Sequence, residues 1–116
     1  MMRRGEIRIV DFNPALGSEA SKLRPAIVVS NDDSNRAVEH LGRGVVTVVP
    51  LTSNVRRVYP YQVFLGASET GLRSDSKAQA ELVRSVATER VGRRLGVLPV
   101  DLLDSLNEAL RLHLAL

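Results

Sequence analysis

Unbroken runs of β-branched residues, rather than strict alternation, mark the first half of the chain. Arg24-Pro25-Ala26-Ile27-Val28-Val29-Ser30-Asn31 and Gly44-Val45-Val46-Thr47-Val48-Val49-Pro50-Leu51-Thr52-Ser53-Asn54 each read as a buried strand with a polar cluster at one or both ends. Glu6 to Phe12 alternates imperfectly and reads as an earlier strand, started by Gly5. The pattern predicts the second strand over about 24–30, the third over 45–49 and a fourth over 61–65. Asn31-Asp32-Asp33-Ser34 offers helix N-caps, so residues 35–41 are expected to form a short helix, stopped by Gly42-Arg43-Gly44. Residues 66–76 read as a loop and 87–90 as a turn. Ala78 to Val86 reads as a fifth strand holding Glu81 and Arg84, although that segment alone also fits a helix. Pro99 suits a first helical position, Asp101 suits the positive end, and Leu102, Leu103, Leu106, Leu110 and Leu114 form one apolar stripe. The order β-β-α-β-β-β-α with short connections predicts a mixed β/α fold, mainly antiparallel. The expected form is a small barrel or strongly twisted sheet, with a short helix and a C-terminal helix packed on it.

Two segments interrupt this pattern in an informative way. Residues 13–23 are turn-rich, carry no helical period and make a connection of 11 residues, long for a hairpin. Long loops in small domains tend to carry function. The polar stretch 52–58, which contains Arg56 and Arg57, follows directly on the third strand.

The chain of 116 residues fits a single domain over 1–116, with the 44% hydrophobic and 25% charged content of a globular protein. Absence of cysteine excludes disulfides and thiolate metal sites, and His40 and His113 lie far apart without ligand spacing, so no metal or other cofactor is expected. No stretch approaches membrane-spanning length and no apolar run follows the basic N-terminus, so a cytoplasmic location without membrane association is the default expectation. The net charge of +3 is modest, but 14 of the 16 basic residues are Arg, with Lys22 and Lys77 the exceptions. Arginine grips phosphate in a bidentate way, so the bias suits a nucleic-acid partner, though a genome rich in Arg codons would produce it too. Only Phe12, Phe64, Tyr59 and Tyr61 are aromatic, too few for the usual base-stacking sheet.

No nucleophile elbow, phosphate-binding glycine loop, zinc helix or paired-histidine site is present, so any chemistry must come from Arg, Thr, Ser, Glu and Gln. RNA permits this, because its 2′-hydroxyl is a built-in nucleophile. Arg24 at the start of one strand and Thr52-Ser53 at the end of another could bind and polarise a phosphate, Arg24 bridging two oxygens and Thr52 adding a hydrogen bond. Each taken singly also fits a bland reading, a surface arginine before proline and a turn after Pro50.

These residues carry a resemblance. Arg4-Gly5-Glu6-Ile7, Gly17-Ser18-Glu19, Arg24-Pro25, Val28-Val29-Ser30-Asn31, Val49-Pro50-Leu51-Thr52-Ser53 and Glu81-Leu82-Val83-Arg84-Ser85-Val86, followed by the Leu-rich helix, resemble in order the MazF/PemK (Kid) toxins of toxin–antitoxin systems. The resemblance implies an SH3-like barrel, a homodimer, and metal-independent, sequence-specific cleavage of single-stranded RNA to 2′,3′-cyclic phosphate and 5′-hydroxyl ends. It places Arg24 and Thr52 on the family's catalytic arginine and threonine. It makes Ser18, Glu19, Ser53, Asn54, Arg56, Arg57, Gln79 and Glu81 the expected substrate contacts. Ser18 stands where some relatives have histidine, Gln79 where others have arginine, Glu81 where others have aspartate, and Arg8 where an aromatic residue is common. Glu19 is a candidate base or loop anchor, and Glu81 is expected to hold a neighbouring arginine such as Arg84. The expected inhibitor is a MazE-type antitoxin whose acidic segment covers the same groove. Two rival readings are a CcdB-like gyrase-binding toxin and a non-catalytic nucleic-acid-binding barrel. Relatives of the first kind end in a Trp-containing tail, whereas this chain has no Trp and ends His113-Leu114-Ala115-Leu116.

Overall fold

The computed structural model describes residues 2–12 and 23–116. Among the described residues seven strands form one antiparallel sheet: β1 (Glu6–Asp11), β2 (Leu23–Val28), β3 (Val45–Thr52), β4 (Gln62–Leu65), β5 (Ser76–Gln79), β6 (Arg84–Ala87) and β7 (Val91–Val97). Three α-helices among the same residues accompany it: α1 (Asp32–Leu41), α2 (Ala67–Thr70) and α3 (Val100–Leu114). The strand order is β4-β5-β3-β2-β1-β7, with β6 also paired to β3. The expected mixed, mainly antiparallel architecture with a short helix and a C-terminal helix is therefore present.

β3 is the axis of the sheet. One edge carries β2 through Ile27↔Val49 and its neighbours; the other is shared by β6 on Val45–Val48 and β5 on Leu51 and Thr52. Its residues alternate between two apolar clusters. Val46 and Val48 pack with Val10, Phe12, Ala26, Val28 and Val86, whereas Val49 and Leu51 pack with Ile7, Ile27, Leu65, Leu98 and Leu106. Both faces of β2 and β3 are thus covered, which is why their sequences run apolar without alternating.

Three expectations are corrected. Residues 78–86 are two strands, not one: the register of β6 on β3 is offset by three residues from that of β5, and those three form the 3₁₀ turn Ala80–Leu82. The turn drops the small side chain of Ala80 into the core against α3 and directs Glu81 towards Gln62. The 66–76 loop contains α2, capped by Asp75 Oδ1 accepting from the Ala67 N–H at 2.9 Å, and it ends in β5. β7 was not foreseen, because Gly92, Arg93, Arg94 and Gly96 break the apolar pattern. The glycines are required by close approach: a Cβ on Gly92 would lie 2.6 Å from Ile9 Cγ2, and one on Gly96 would lie 2.5 Å from the Thr70 carbonyl oxygen.

Helix α1 starts one turn earlier than expected, with Asn31 as its N-cap accepting from the Ser34 N–H at 2.7 Å. It is held by polar contacts as much as by packing. Fully buried Asn35 donates to the Ser30 carbonyl at 2.9 Å and accepts from the Ser30 hydroxyl at 2.5 Å. In α3, Leu102, Leu103, Leu106 and Leu110 pack on the core as the stripe predicts, but Leu114 is 49% exposed and continues into exposed Leu112 and Leu116. Pro99 is the N-cap rather than the first helical residue. No helix among the described residues is long and apolar enough to cross a membrane.

The β7–α2 contact yields a stability prediction. Gly96→Ala must push a methyl group into the Thr70 carbonyl, so it is expected to cost about 1–3 kcal/mol, the usual penalty of overpacking. Urea denaturation of the variant beside the parent protein measures it.

Candidate active site

The guanidinium of Arg24 is fixed before any ligand arrives. Its Nε and Nη2 donate to the carbonyl oxygen of Leu51 at 3.2 and 2.9 Å, and Nη2 also donates to Gln79 Oε1 at 2.8 Å. Leu51 is itself held by its buried side chain and its pairing with Ala78, so the arginine hangs from a buried, paired part of β3. Nε and Nη2 are committed to the protein, and the two N–H groups of Nη1 have no partner among the described residues.

Thr52 is the last residue of β3. Its Oγ1 accepts from the Asn54 N–H at 3.2 Å, and Asn54 Oδ1 accepts in turn from the Arg56 N–H at 3.3 Å. With a lone pair occupied in this way, the Thr52 hydroxyl proton is available for an incoming acceptor. Arg24, Thr52 and Ser53 line one open cavity of about 510 Å³, together with Leu23, Pro25, Leu51 and Ser74. Ser74 was not foreseen, since it sits in a segment read only as loop.

Gln79 touches the site through Arg24. Its neutral oxygen orients the guanidinium without cancelling its charge. Glu81 lines neither this cavity nor the next. Its Oε2 accepts from Gln62 Nε2 at 2.6 Å, its Oε1 is buried without a hydrogen-bond partner, and Gln62 Oε1 accepts from the Tyr59 N–H at 3.1 Å. The expected Glu81–Arg84 pair is absent, because the 3₁₀ turn separates them; Arg84 instead lies over the Phe12 ring at 5.3 Å. Glu81 therefore braces the base of the 54–61 segment through Gln62.

Asn54, Arg56 and Arg57 line a second cavity of about 390 Å³ with Tyr59 and Lys77. Lys77, unforeseen as a site residue, is the Cα partner of Thr52 across β3 and β5, which makes the two cavities neighbours. Tyr59 and Tyr61 stack with centroids 5.5 Å apart. Ser18, Glu19 and the rest of the 13–22 segment lie outside the described residues. Among the described residues no cluster of His, Asp or Glu could hold a metal ion.

The family model for PemK-like, MazF-like toxins of type II toxin–antitoxin systems matches residues 3–114. The chain belongs to this family. The Mycobacterium tuberculosis protein named Endoribonuclease MazF9 is 60% identical over 116 residues, covering 100% of this chain and 98% of that protein. Among solved structures, an endoribonuclease in complex with its cognate antitoxin from a mycobacterial species superposes with a TM-score of 0.79 at 25% identity, over 100% of this chain and 97% of the other. MazF from Deinococcus radiodurans superposes with a TM-score of 0.78 at 26% identity, over 99% and 97%. The fold is that of the MazF toxins, and the SH3-like barrel expected from the motifs rests on that likeness.

The contact between Gln79 and Arg24 generates a prediction within this MazF-type frame. Gln79→Glu places a carboxylate on Nη2 and neutralises the site, so a phosphate-bearing oligonucleotide should bind at least about tenfold more weakly, a loss of 1.4 kcal/mol. Thermal stability should be unchanged or higher, since the Arg24 contact becomes charge-assisted on both sides. Calorimetric titration and a melting curve of the same sample check both halves.

Proposed function

We propose that this toxin is a metal-independent endoribonuclease that cuts single-stranded RNA by attack of the 2′-hydroxyl on the adjacent phosphorus. The observation that carries this reading is the rigid placement of Arg24 and Thr52 around one open cavity, with Nη1 and a hydroxyl proton left unspent. In the reaction the 2′-oxygen loses its proton and bonds to phosphorus while the bond to the 5′-oxygen breaks and that oxygen is protonated. The products are a 2′,3′-cyclic phosphate and a 5′-hydroxyl. Charge accumulates on the non-bridging oxygens, where Arg24 Nη1 and the Thr52 hydroxyl donate. Donors held in place beforehand need no reorganisation as that charge develops. Ser53 and Asn54 continue the groove, and Arg56 and Arg57 with the 13–23 segment, including Ser18 and Glu19, discriminate among RNA sequences. The reading implies a cytoplasmic site of action.

Two partners follow. The Arg-rich groove suits a short acidic segment of a MazE-type antitoxin, which would compete with RNA. Exposed Leu112, Leu114 and Leu116 beside a cavity of about 400 Å³ suit a symmetric contact with a second copy. The relative solved with its cognate antitoxin supports the first of these.

The deciding experiment compares an all-RNA oligonucleotide with its twin carrying a 2′-deoxy group at the scissile nucleotide, both in EDTA. The first should be cut and the second should survive; equal cutting would exclude the 2′-hydroxyl as nucleophile. Arg24→Ala and Thr52→Ala should each lose roughly 10²–10³-fold in cleavage rate, as for removal of one preorganised donor. Arg24→Lys should recover little, because an ammonium cannot span Leu51 and Gln79 while still reaching phosphate. Thr52→Ser should keep substantial activity.

A further inference from the structure

Lys77 is a buried cation without a counter-charge. Only 8% of it is exposed, and its Nζ donates to the Arg57 carbonyl at 2.6 Å and lies 5.8 Å from the centre of the Tyr59 ring. The ion pairs among the described residues join other side chains, and none reaches Lys77. An ammonium carries three donors, so two remain beyond the single carbonyl bond. Burying a charge in this state is costly unless an anion completes it. The space beside it, about 390 Å³, is lined by Asn54, Arg56, Arg57, Tyr59 and Lys77, three cations and no carboxylate. Lys77 is also one of only two lysines in a chain that otherwise uses arginine.

The register decides which anion this is. Lys77 stands directly across from Thr52 on one side and Phe64 on the other, so the three side chains leave the same face of the sheet. Directly opposed cross-strand residues have Cβ atoms about 4.5–5.5 Å apart. An anion on Lys77 therefore sits next to the phosphate held at Thr52 and Arg24. We propose that Lys77, with Asn54 and Arg57 at its rim, is a second phosphate subsite that holds the backbone phosphate neighbouring the scissile one. This inference rests on the RNA-cleaving reading. The subsite threads the strand: gripping two successive phosphates fixes the direction of the backbone through the groove and positions the attacked bond, without reading a base.

The test uses a non-cleavable oligonucleotide, 2′-deoxy at the scissile nucleotide, with single phosphates replaced in turn by neutral methylphosphonate. In the parent protein, one replacement adjacent to the scissile phosphate should weaken binding, and the salt slope for that oligonucleotide should fall by about 0.7, the value for one contact on a single strand. Lys77→Met should lower the slope for the unmodified oligonucleotide by the same amount and abolish the penalty of the methylphosphonate, whereas Lys77→Arg should restore both. A methylphosphonate scan of the parent protein in which no neighbouring phosphate matters overturns the subsite, and this arm does not depend on how any variant folds. Equal penalties in the parent and Lys77→Met also overturn it, as does a Lys77→Met protein that loses affinity only for an acidic antitoxin peptide. Cleavage of the all-RNA twin by the parent protein is followed in parallel. Its absence overturns the RNA-cleaving reading, whereas cleavage with an unchanged salt slope in Lys77→Met overturns the subsite alone.

Discussion

The carbonyl oxygen of Leu51 is the point at which the core and the chemistry meet. It accepts two N–H groups of Arg24, while the side chain of the same residue is sealed in the main apolar cluster and its backbone is in register with Ala78. Hydrogen bonds to a charged group are worth about 1.5–3 kcal/mol each. Their larger effect here is geometric. The guanidinium cannot move unless β3 moves, and β3 cannot move without exposing valines on both faces. The next residue, Thr52, is placed by the same constraint, and so is its cross-strand partner Lys77. Three polar groups thus inherit their positions from one buried strand end.

The parts of this arrangement that were legible in the sequence are those that repeat a simple pattern. The apolar runs at 26–29 and 45–49 announced β2 and β3, and the polar residues flanking them announced Arg24 and Thr52. β7 was hidden because close packing against Ile9 and Thr70 demanded glycine, which erases the side-chain signal on which pattern reading depends. The break at 80–82 was hidden for a related reason. Alanine is compatible with strand, turn or helix, and only the offset of β6 against β5 shows that three residues leave the ladder. Lys77 was overlooked because it falls between the stretch read as a loop and the strand expected from Ala78, where an isolated lysine ordinarily points to solvent. Its burial beneath the Arg57 carbonyl depends on the 54–59 segment folding back over β5, a contact twenty residues away in sequence.

At Glu81 the role expected from the motif and the observed contacts part company. Its carboxylate stands at the motif position where other relatives have aspartate, yet it faces inward, one oxygen on Gln62 and the other buried without a partner. Gln62 in turn fixes the Tyr59 N–H, so the acid is joined by two hydrogen bonds to the segment that carries Arg56 and Arg57. That is a positioning arrangement: the polar interior fixes where the 54–61 segment begins, so Arg56 and Arg57 extend from a defined base rather than from a free tether.

The same logic explains how a site with a neutral Gln79 can do without another charged group there. A second cation beside Arg24 would repel it and would need its own anchor. Gln79 instead accepts from Nη2 and leaves the full positive charge of Arg24 directed outward through Nη1. The remaining attraction for a polyanion is then displaced by one strand, to Lys77 and the arginines of the neighbouring cavity. In the proposed reading the charge at the reacting phosphate is the one fixed against a buried carbonyl, while the exposed Arg56 and Arg57 of the neighbouring cavity remain open to salt. Long-range attraction in this protein should accordingly vary with ionic strength much more than the chemical step does, because screening acts on exposed charges and hardly at all on a donor fixed against a buried carbonyl.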